Sequence, residues 1–430
     1  MKENIRKNIV VIGAGPAGMM AAIKAAETQQ MQGEEVAVVL LEKMQKPGRK
    51  MMITGKGRCN ITNAADVPEI IKNIHGNGRF LNSALRAFDN QQVIAFFEEQ
   101  GVPVKVERGQ RVFPVSDKAQ DAVDALVRRL HDLGVQIETG MAVKDILVEN
   151  QQVKAVRTVS DAVFPAAAAI LAVGGASYPG TGSSGDGYAM AEKLGHAIVT
   201  VRPSLVPLET EEDWVKDVQG LSLRNVRAVL LADGKKIQEE FGEMMFTHFG
   251  VTGPIILSLS RKASEYLLAG TGLLELELNL KPALTPETLE ARLQRDFEKY
   301  QRKAIKNGMV DLLPHKLIEP VLDCAFLSAD KPIHQITAEE RHRLAETLQH
   351  LPLTITRTRP IAEAIVTAGG ISVKEIEPRT MESKIIKGLY FAGEVVDVDA
   401  YTGGYNLQAA FSMGAAAGTW AVWNMEGTDR

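Results

Sequence analysis

Asn8-Ile9-Val10-Val11-Ile12-Gly13-Ala14-Gly15-Pro16-Ala17-Gly18, followed by Met19-Met20-Ala21-Ala22-Ile23-Lys24-Ala25-Ala26, is the stretch that decides the fold of this chain. Residues 9–12 are short, β-branched and stopped by glycine, the pattern of a strand buried on both faces of a parallel sheet. A helix must then begin almost at once. In this spacing Gly13 permits the tight turn, Gly15 lets backbone approach a pyrophosphate, and Gly18 lets the helix pack on the strand. The unpaired N–H groups at the start of that helix then face the phosphates. A second apolar run, residues 36–41, ends in Glu42, a carboxylate that can accept from both hydroxyls of an adenosine ribose. Its spacing from Gly18 is slightly long, so residues 29–35 are expected to be a small loop insertion. Glycines alone would also fit a plain strand-to-helix turn; with Glu42 they predict a dinucleotide site.

The length of 430 residues suggests two to three domains, and 45% hydrophobic with 24% charged residues places the chain among ordinary globular proteins. A net charge of −4 carries no overall footprint for nucleic acid or an anionic membrane, and leaves room only for a local basic patch. No apolar run is long enough to cross a bilayer. Glu3 and Asn4 precede the first strand without the pattern of a secretory leader, so the cytoplasm is the expected compartment. Cys59 and Cys324 stand far apart, which excludes a CxxC redox pair and zinc spacing; no metal site is expected.

Residues 43–63 show neither helical nor strand periodicity and are dense in glycine, cations and short polar side chains. Such a loop can be a solvated basic segment, but beside Glu42 it suits an anion. Residues 81–100 read as helices, with Asp89 and Gln92 spaced as a capping box and Gly101 as a stop. An amphipathic helix over 119–133 follows, ended by Gly134. Segments 135–137, 141–148 and 153–158 read as a small β-meander, and 164–173 as a buried strand running into Gly174 and Gly175. A glycine-rich loop, 176–187, leads into another helix.

Near Arg202 the character changes. Alternating segments at 221–231 and 273–280 predict an antiparallel barrel or sheet, and the Thr285-Pro286 start and the Thr337/Glu340 capping box predict helices over 285–350. The expected organisation is an α/β, Rossmann-like domain in two parts, 1–201 and 355–430. Between them lies an insert, 202–354, with a β-barrel over 202–280 and helices over 281–354. The last part carries a short buried strand ending at Gly393-Glu394, then Thr402-Gly403-Gly404 and a helix from about Asn406 whose N-terminus faces whatever lies above the sheet.

The first fingerprint, the GRKMMITGKGRCNITN loop, the AVGGASYPGTGSSGDGYAMAEKLGH segment, FTHFGVTGP at 246–254 and TMESKIIKGLYFAGEVVDVDAYTGGYNLQAAF resemble, together and in register, the BaiN-like (HI0933-like) FAD-dependent flavoproteins. That resemblance implies FAD as cofactor. By motif, Gly13, Ala14, Gly15, Pro16, Ala17 and Gly18 would hold the pyrophosphate, and Glu42, with Lys43 after it, the ribose. Arg49, Lys50, Thr54, Gly55, Arg58, Cys59 and Asn60 would wrap the phosphates and the ring edge. Val143 would meet adenine through its backbone. Val173, Gly174 and Gly175 would lie on the ribityl side, Gly393 and Glu394 at the ribitol, and Tyr405, Asn406 and Leu407 at the pyrimidine end. Val173 stands where related flavoproteins often carry threonine, and Glu394 where many carry aspartate.

A flavin supplies redox chemistry, and the protein positions the substrate and tunes the ring. Without a second Gly-x-Gly-x-x-Gly, NAD(P)H is the expected transient donor. The Gly-Asp-Gly at 185–187 also resembles the succinate dehydrogenase and fumarate reductase group, which suggests chemistry at a carbon–carbon bond beside an activating carbonyl. Candidate proton donors are His248, Tyr178, Tyr401 and Arg58. Each has a plainer reading: His248, between Phe246 and Phe249, as a packed core residue; the tyrosines as pocket walls; Arg58 as a loop anchor, since guanidinium holds its proton. Cys59 is a weaker nucleophile candidate, and Cys324 reads as core. The leading expectation is an FAD-dependent oxidoreductase of a small or medium organic substrate, with reduction of an activated C=C bond in view. Alternatives are a flavin oxidase of a small amine, a flavin-dependent RNA-modifying enzyme, disfavoured by the acidic balance, and a flavin sensor without turnover.

Overall fold

The structure is a computed structural model that describes residues 8–33, 36–270 and 272–426; Glu3, Asn4 and the end of the expected 29–35 insertion lie outside the described residues. The chain divides into two compact units, 1–202 with 365–430, and 203–364.

The first unit is built on a parallel sheet of β1 (Asn8–Ile12), β2 (Ala37–Glu42), β3 (Gln136–Thr139), β4 (Ala168–Leu171) and β5 (Leu389–Phe391), in the order β5-β4-β1-β2-β3. β1 pairs with both β2 and β4, so its apolar residues are covered on both faces, and Ile9, Val10 and Val11 are fully buried. Helix α1 (Pro16–Gln32) starts after Gly15 with proline in its first turn and ends at Gly33 in the left-handed conformation. The spacing between Gly18 and Glu42 is therefore taken up largely by a longer helix: residues 29–32 are helical. Within the expected irregular loop, Arg49–Ile53 forms a short helix, α2, seated by the Gly48 N–H, which donates to the Ala14 carbonyl at 2.8 Å. Further helices of the unit include α3 (Asp186–Lys193) and α4 (Tyr405–Glu426). α4 crosses α1 at close range because Gly414 and Gly418, one turn apart, lie where any Cβ would overlap the carbonyls of Ala17 and Ala21.

Two sequence expectations change here. Residues 136–139 do not belong to a meander but pair in parallel with β2 as the sheet's edge strand, and the meander consists of Val143–Glu149, Gln152–Thr158 and Val163–Pro165. The segment expected as one strand over 164–173 is accordingly two, split where Pro165 ends the meander and β4 begins. The capping box of Asp89 with Gln92 is present, and Ala119–Asp132 is helical with Gly134 just beyond it.

The second unit holds a closed antiparallel barrel of Leu208–Thr210, Gly250–Thr252, Lys235–Phe246, Ser222–Ala232, Leu274–Asn279 and Leu351–Thr358, the last pairing with the first. Its inward residues, among them Leu230, Leu276, Leu278 and Leu353, are fully buried. The helices between its fifth and sixth strands include Pro286–Lys299, capped by Thr285, and Ala338–Gln349, capped by Thr337 with Glu340. The barrel therefore does not end near 280, and the unit ends at Ala364 rather than 354 because its closing strand lies beyond the helices.

Candidate functional site

In an open parallel sheet the carboxyl ends of the strands are where ligands bind. After β1 the backbone of Gly13 turns with φ +101°, and a Cβ there would stand 2.6 Å from the Ala172 oxygen, so the turn is fitted to the end of β4. Gly15 differs: its φ is −79°, ordinary for any residue, and a Cβ there would meet no protein atom within 4 Å. The space beside Gly15 is open where the first N–H groups of α1 emerge, a cradle for an anion. Ala14, Pro16, Ala17 and Gly18 form the rest of the turn. Glu42 at the end of β2 accepts from the Ala14 and Met44 N–H groups, both at 2.8 Å. Each oxygen keeps a lone pair for a hydroxyl. The Glu42 carbonyl accepts from Met141, two residues before Val143, which starts the meander.

Loops after β2, β4 and β5 are tied by charge. Lys50 Nζ lies 2.6 Å from Glu394 Oε2 and 2.6 Å from Ser177 Oγ, while Glu394 Oε1 accepts from the Thr367 N–H at 2.7 Å and Ser177 Oγ at 3.0 Å. Burial alone would raise the Glu394 carboxyl, but the Lys50 ammonium and the two donors outweigh it and hold it below the usual carboxylate range. Lys50 is thus engaged by Glu394 rather than held free for a phosphate. Lys43 joins Asp186 at 2.6 Å and Ser184, linking the loop after Glu42 to the start of α3. Gly174 and Gly175 fit against Ser183 and against Thr367 with Glu394, Val173 touches Gly187, and Gly393 fits against Ala17.

The residues 49–60 divide by role. Arg49 is exposed at the start of α2. Thr54 donates to the Met51 carbonyl at 2.7 Å, and Gly55 turns with positive φ. Arg58 pairs with Glu107 and Asp117 and stacks on Phe113, 4.1 Å from the ring centroid. It is the anchor of its loop, engaged away from any proton transfer. Cys59 is fully buried and burial pushes its thiol up to about 12, which removes it as a nucleophile. Asn60 Oδ1 is buried with no hydrogen-bond partner. Such an atom is costly to leave unmade and marks a place that a ligand donor would fill.

Helix α4 begins at the same region. Tyr405, Asn406 and Leu407 are its first residues, and the first intrahelical bond there runs from Gln408 N–H to the Gly404 carbonyl, so the three preceding N–H groups have no intrahelical acceptor. The Asn406 side chain, expected at the pyrimidine end, instead holds the Ala400 and Tyr401 backbone through three bonds of 2.9–3.2 Å. Only its backbone stays available. Thr62, Asn63, Asn90 and Gln408 stitch this helix to the loop: Thr62 bonds Gln408, Asn63 donates to the Gly109 and Gly403 carbonyls, and Asn90 donates to the Asn63 carbonyl. Sequence reading missed these, together with Ser177 and Thr367. The polar run Asn60-Ile61-Thr62-Asn63 was the available signal for the first two.

The candidate acids scatter. Tyr178 has φ +52° and is 36% exposed in the loop after β4. Tyr401 packs edge-on against His75, ring centroids 4.1 Å apart, just ahead of α4. His248 belongs to the other unit, exposed in the turn between two barrel strands, and is not the packed core residue that its aromatic neighbours suggested. Cys324 is half-buried and packs against the core of the second unit. Among the described residues no group of three or more His, Cys, Asp or Glu could hold a metal, and no helix is long and apolar enough to cross a membrane.

This sheet, its glycine turn and its strand-end carboxylate define a Rossmann-type flavoprotein domain with an inserted barrel. The particular assignment follows from the sequence: the chain belongs to the family described as HI0933-like protein Rossmann domain, whose model matches residues 7–420. It is 30% identical over 415 residues to the 3-dehydro-bile acid delta(4,6)-reductase of Clostridium scindens, covering 95% of this chain and 98% of that one. It is also 30% identical over 407 residues to the ribosomal RNA dihydrouridine synthase of Escherichia coli, covering 95% and 96%. The fold is shared with 3-ketosteroid delta1-dehydrogenase from Sterolibacterium denitrificans, at TM-score 0.52 and 13% identity over 96% of this chain and 99% of that one. It is likewise shared with E. coli quinol fumarate reductase, at TM-score 0.50 and 16% identity over 99% and 71%. Family and relatives make this a flavin-dependent oxidoreductase.

Proposed function

We propose that the chain is an FAD-dependent reductase delivering hydride to a carbon–carbon double bond conjugated with a carbonyl. The reading is supported by the open cradle at Gly15 and the Glu42 carboxylate at strand ends of one sheet, by the partnerless Asn60 Oδ1 in the loop after α2, and by the free N–H groups at the start of α4, which Thr62 and Asn63 tie to that loop. Bound there, FAD would supply the two-electron chemistry. The Gly13–Gly18 turn receives the pyrophosphate, Glu42 the ribose and the Val143 backbone the adenine. Asn60 and the backbone of Tyr405, Asn406 and Leu407 meet the polar edge of the ring, where the helix dipole favours negative charge. The Lys50–Glu394–Ser177 cluster fixes the loops around the ribitol. Tyr178 or Tyr401 would give the proton that must follow hydride addition. The printed activity of the C. scindens relative supports the conjugated bond. NAD(P)H is the proposed donor, bound transiently.

The test is anaerobic. Purified protein should be yellow, NADH or NADPH should bleach it, and a 4-en-3-one steroid should restore the colour as its double bond is reduced. A colourless protein that takes up no added FAD ends the reading. Hydrogen peroxide formed in step with substrate loss would instead identify an oxidase, and a flavin that neither nucleotide bleaches would identify a sensor.

A second reading keeps the chemistry and changes the carrier. The C5=C6 bond of uracil is also conjugated with a carbonyl, and two relatives, from E. coli and Haemophilus influenzae, are ribosomal RNA dihydrouridine synthases, each 30% identical to this chain. The acidic net charge set nucleic acid aside at the sequence level. A uridine-containing RNA that reoxidises the reduced protein while the steroid does not would select this reading.

A further inference from the structure

Two short strands, Val104–Glu107 and Arg111–Pro114, form a hairpin whose inner strand pairs with Thr62–Asn63 and whose tip, residues 108–111, is exposed; the cofactor reading does not use that tip. Between residues 55–63 and 104–118 stand six cationic side chains, Lys56, Arg58, Lys105, Arg108, Arg111 and Lys118, against two carboxylates, Glu107 and Asp117. Both carboxylates are consumed internally: Arg58 binds both, and Lys105 lies 2.7 Å from Asp117. Lys56, Arg108, Arg111 and Lys118 are exposed and have no carboxylate partner among the described residues. A chain of net charge −4 therefore carries a local excess of four positive charges on one hairpin and its neighbouring loop.

The hairpin is held where the charges sit. The Arg58 and Arg111 guanidinium groups lie 4.1 Å and 5.9 Å from the Phe113 ring centroid, and the Arg111 Nε donates to the Arg108 carbonyl at 2.9 Å. The hairpin also borders the proposed site, because Asn63 donates both to the Gly109 carbonyl at its tip and to the Gly403 carbonyl ahead of α4. Positive charges spaced along an exposed, held loop beside a site match a phosphodiester backbone.

We infer that this hairpin is a docking surface for RNA, its four unpartnered cations contacting phosphates while a nucleobase reaches the flavin site. The inference rests on the second reading above and names the surface that reading needs. Arg108 and Arg111 at the turn carry most of the contact, and Lys56 and Lys118 flank it.

The experiment uses the flavin-loaded full chain and a short fluorescein-labelled stem–loop RNA with uridines in its loop, titrated by anisotropy over a series of KCl concentrations. Four phosphate contacts predict that the logarithm of affinity falls with the logarithm of salt with a slope of at least about −3, at roughly −0.7 per contact. R108Q/R111Q should weaken binding at least about tenfold at low salt and flatten the slope by about 1.4. K118E, on an exposed side chain with no hydrogen bond or ion pair among the described residues, should weaken binding without altering flavin content. Steroid reduction, where present, should be unchanged in all variants, so loss of RNA binding separates from loss of the reductase reading. The inference is overturned if the wild type binds no RNA, if R108Q/R111Q binds as tightly as the wild type, or if phosphatidylglycerol vesicles or an acidic protein are bound as tightly as RNA.

Discussion

At the scale of single residues, the fingerprint glycines separate into two kinds. Gly13 is required by the fold: its positive φ and the nearness of the Ala172 oxygen exclude a side chain, and Gly13→Ala should cost roughly 3 kcal/mol of stability. Gly15 is not required by the fold, and on the proposed reading it serves the ligand. Gly15→Val should leave the melting temperature within a few degrees while the purified protein loses its yellow colour, and a large drop in melting temperature would contradict the open cradle. Lys50 and Glu394 answer a different question. They are 344 positions apart in the chain and each about one-fifth exposed, 20% and 19%. Lys50→Met leaves a carboxylate with two donors and no counter-charge, which should cost roughly 2–4 kcal/mol, somewhat under a fully buried pair. Glu394→Gln should recover part of that loss in the double variant, as denaturant midpoints would show. Because the Glu394 carboxyl is held low in the folded state, its contribution is present above the unfolded value near 4.5 and is lost as pH falls toward the folded value. The pair was invisible in sequence, since neither its separation nor its geometry leaves a local trace; the resemblance placed both residues at the cofactor but not against each other. The same holds for Arg58, whose carboxylates lie 49 and 59 residues along the chain.

At the scale of elements, legibility followed how local the cause was. The start of α1, the buried strand β2 and the capping boxes at Asp89 and Thr337 rest on contacts within a few residues, and pattern reading located them. β3 misled because an edge strand of a parallel sheet is covered on one flank only, so Gln136-Ile137-Glu138-Thr139 alternates like a meander strand. The closing barrel strand misled because some seventy residues of largely helical chain separate it from its partner Leu274–Asn279. The contact of α1 with α4 yields a test. Gly418→Val inserts a branched side chain where even a Cβ overlaps the Ala21 carbonyl, and should cost at least about 3 kcal/mol or abolish folding. Thr28→Val, about two turns farther along α1, should cost under about 1.5 kcal/mol, and thermal melts of the two would separate close backbone packing from general burial.

At the scale of the whole molecule, one buried imidazole makes stability depend on mild acid. His196, 2% exposed, lies with Nε2 2.9 Å from Ser383 Oγ and Nδ1 3.3 Å from Glu375 Oε2, joining the turn after α3 to segments leading into β5. Ser383 Oγ already accepts from the Ile385 and Ile386 N–H groups, so its hydroxyl donates to a neutral imidazole. Burial pushes the His196 pKa down, against the opposing pull of Glu375. The unfolded chain then takes up a proton near 6.5 that the folded chain refuses, so the contribution is complete above that value and declines as pH falls below it. Urea midpoints measured from pH 7.5 to 5 should decrease, and His196→Gln should flatten the decline; an unchanged slope in the variant would assign it to other groups.

The pairing of β5 beside β4, and of α4 across α1, means that the amino-terminal half of the nucleotide-binding unit is finished only by the last tenth of the polypeptide. During synthesis the emerging chain must therefore keep an incomplete sheet edge covered while the entire barrel forms, and cofactor capture waits until β5 and α4 have emerged. A nascent chain stalled before residue 389 should stay protease-sensitive and colourless even with its fingerprint glycines long outside the ribosome, which makes chaperone supply and the free flavin met once residue 389 has emerged the quantities that set its yield.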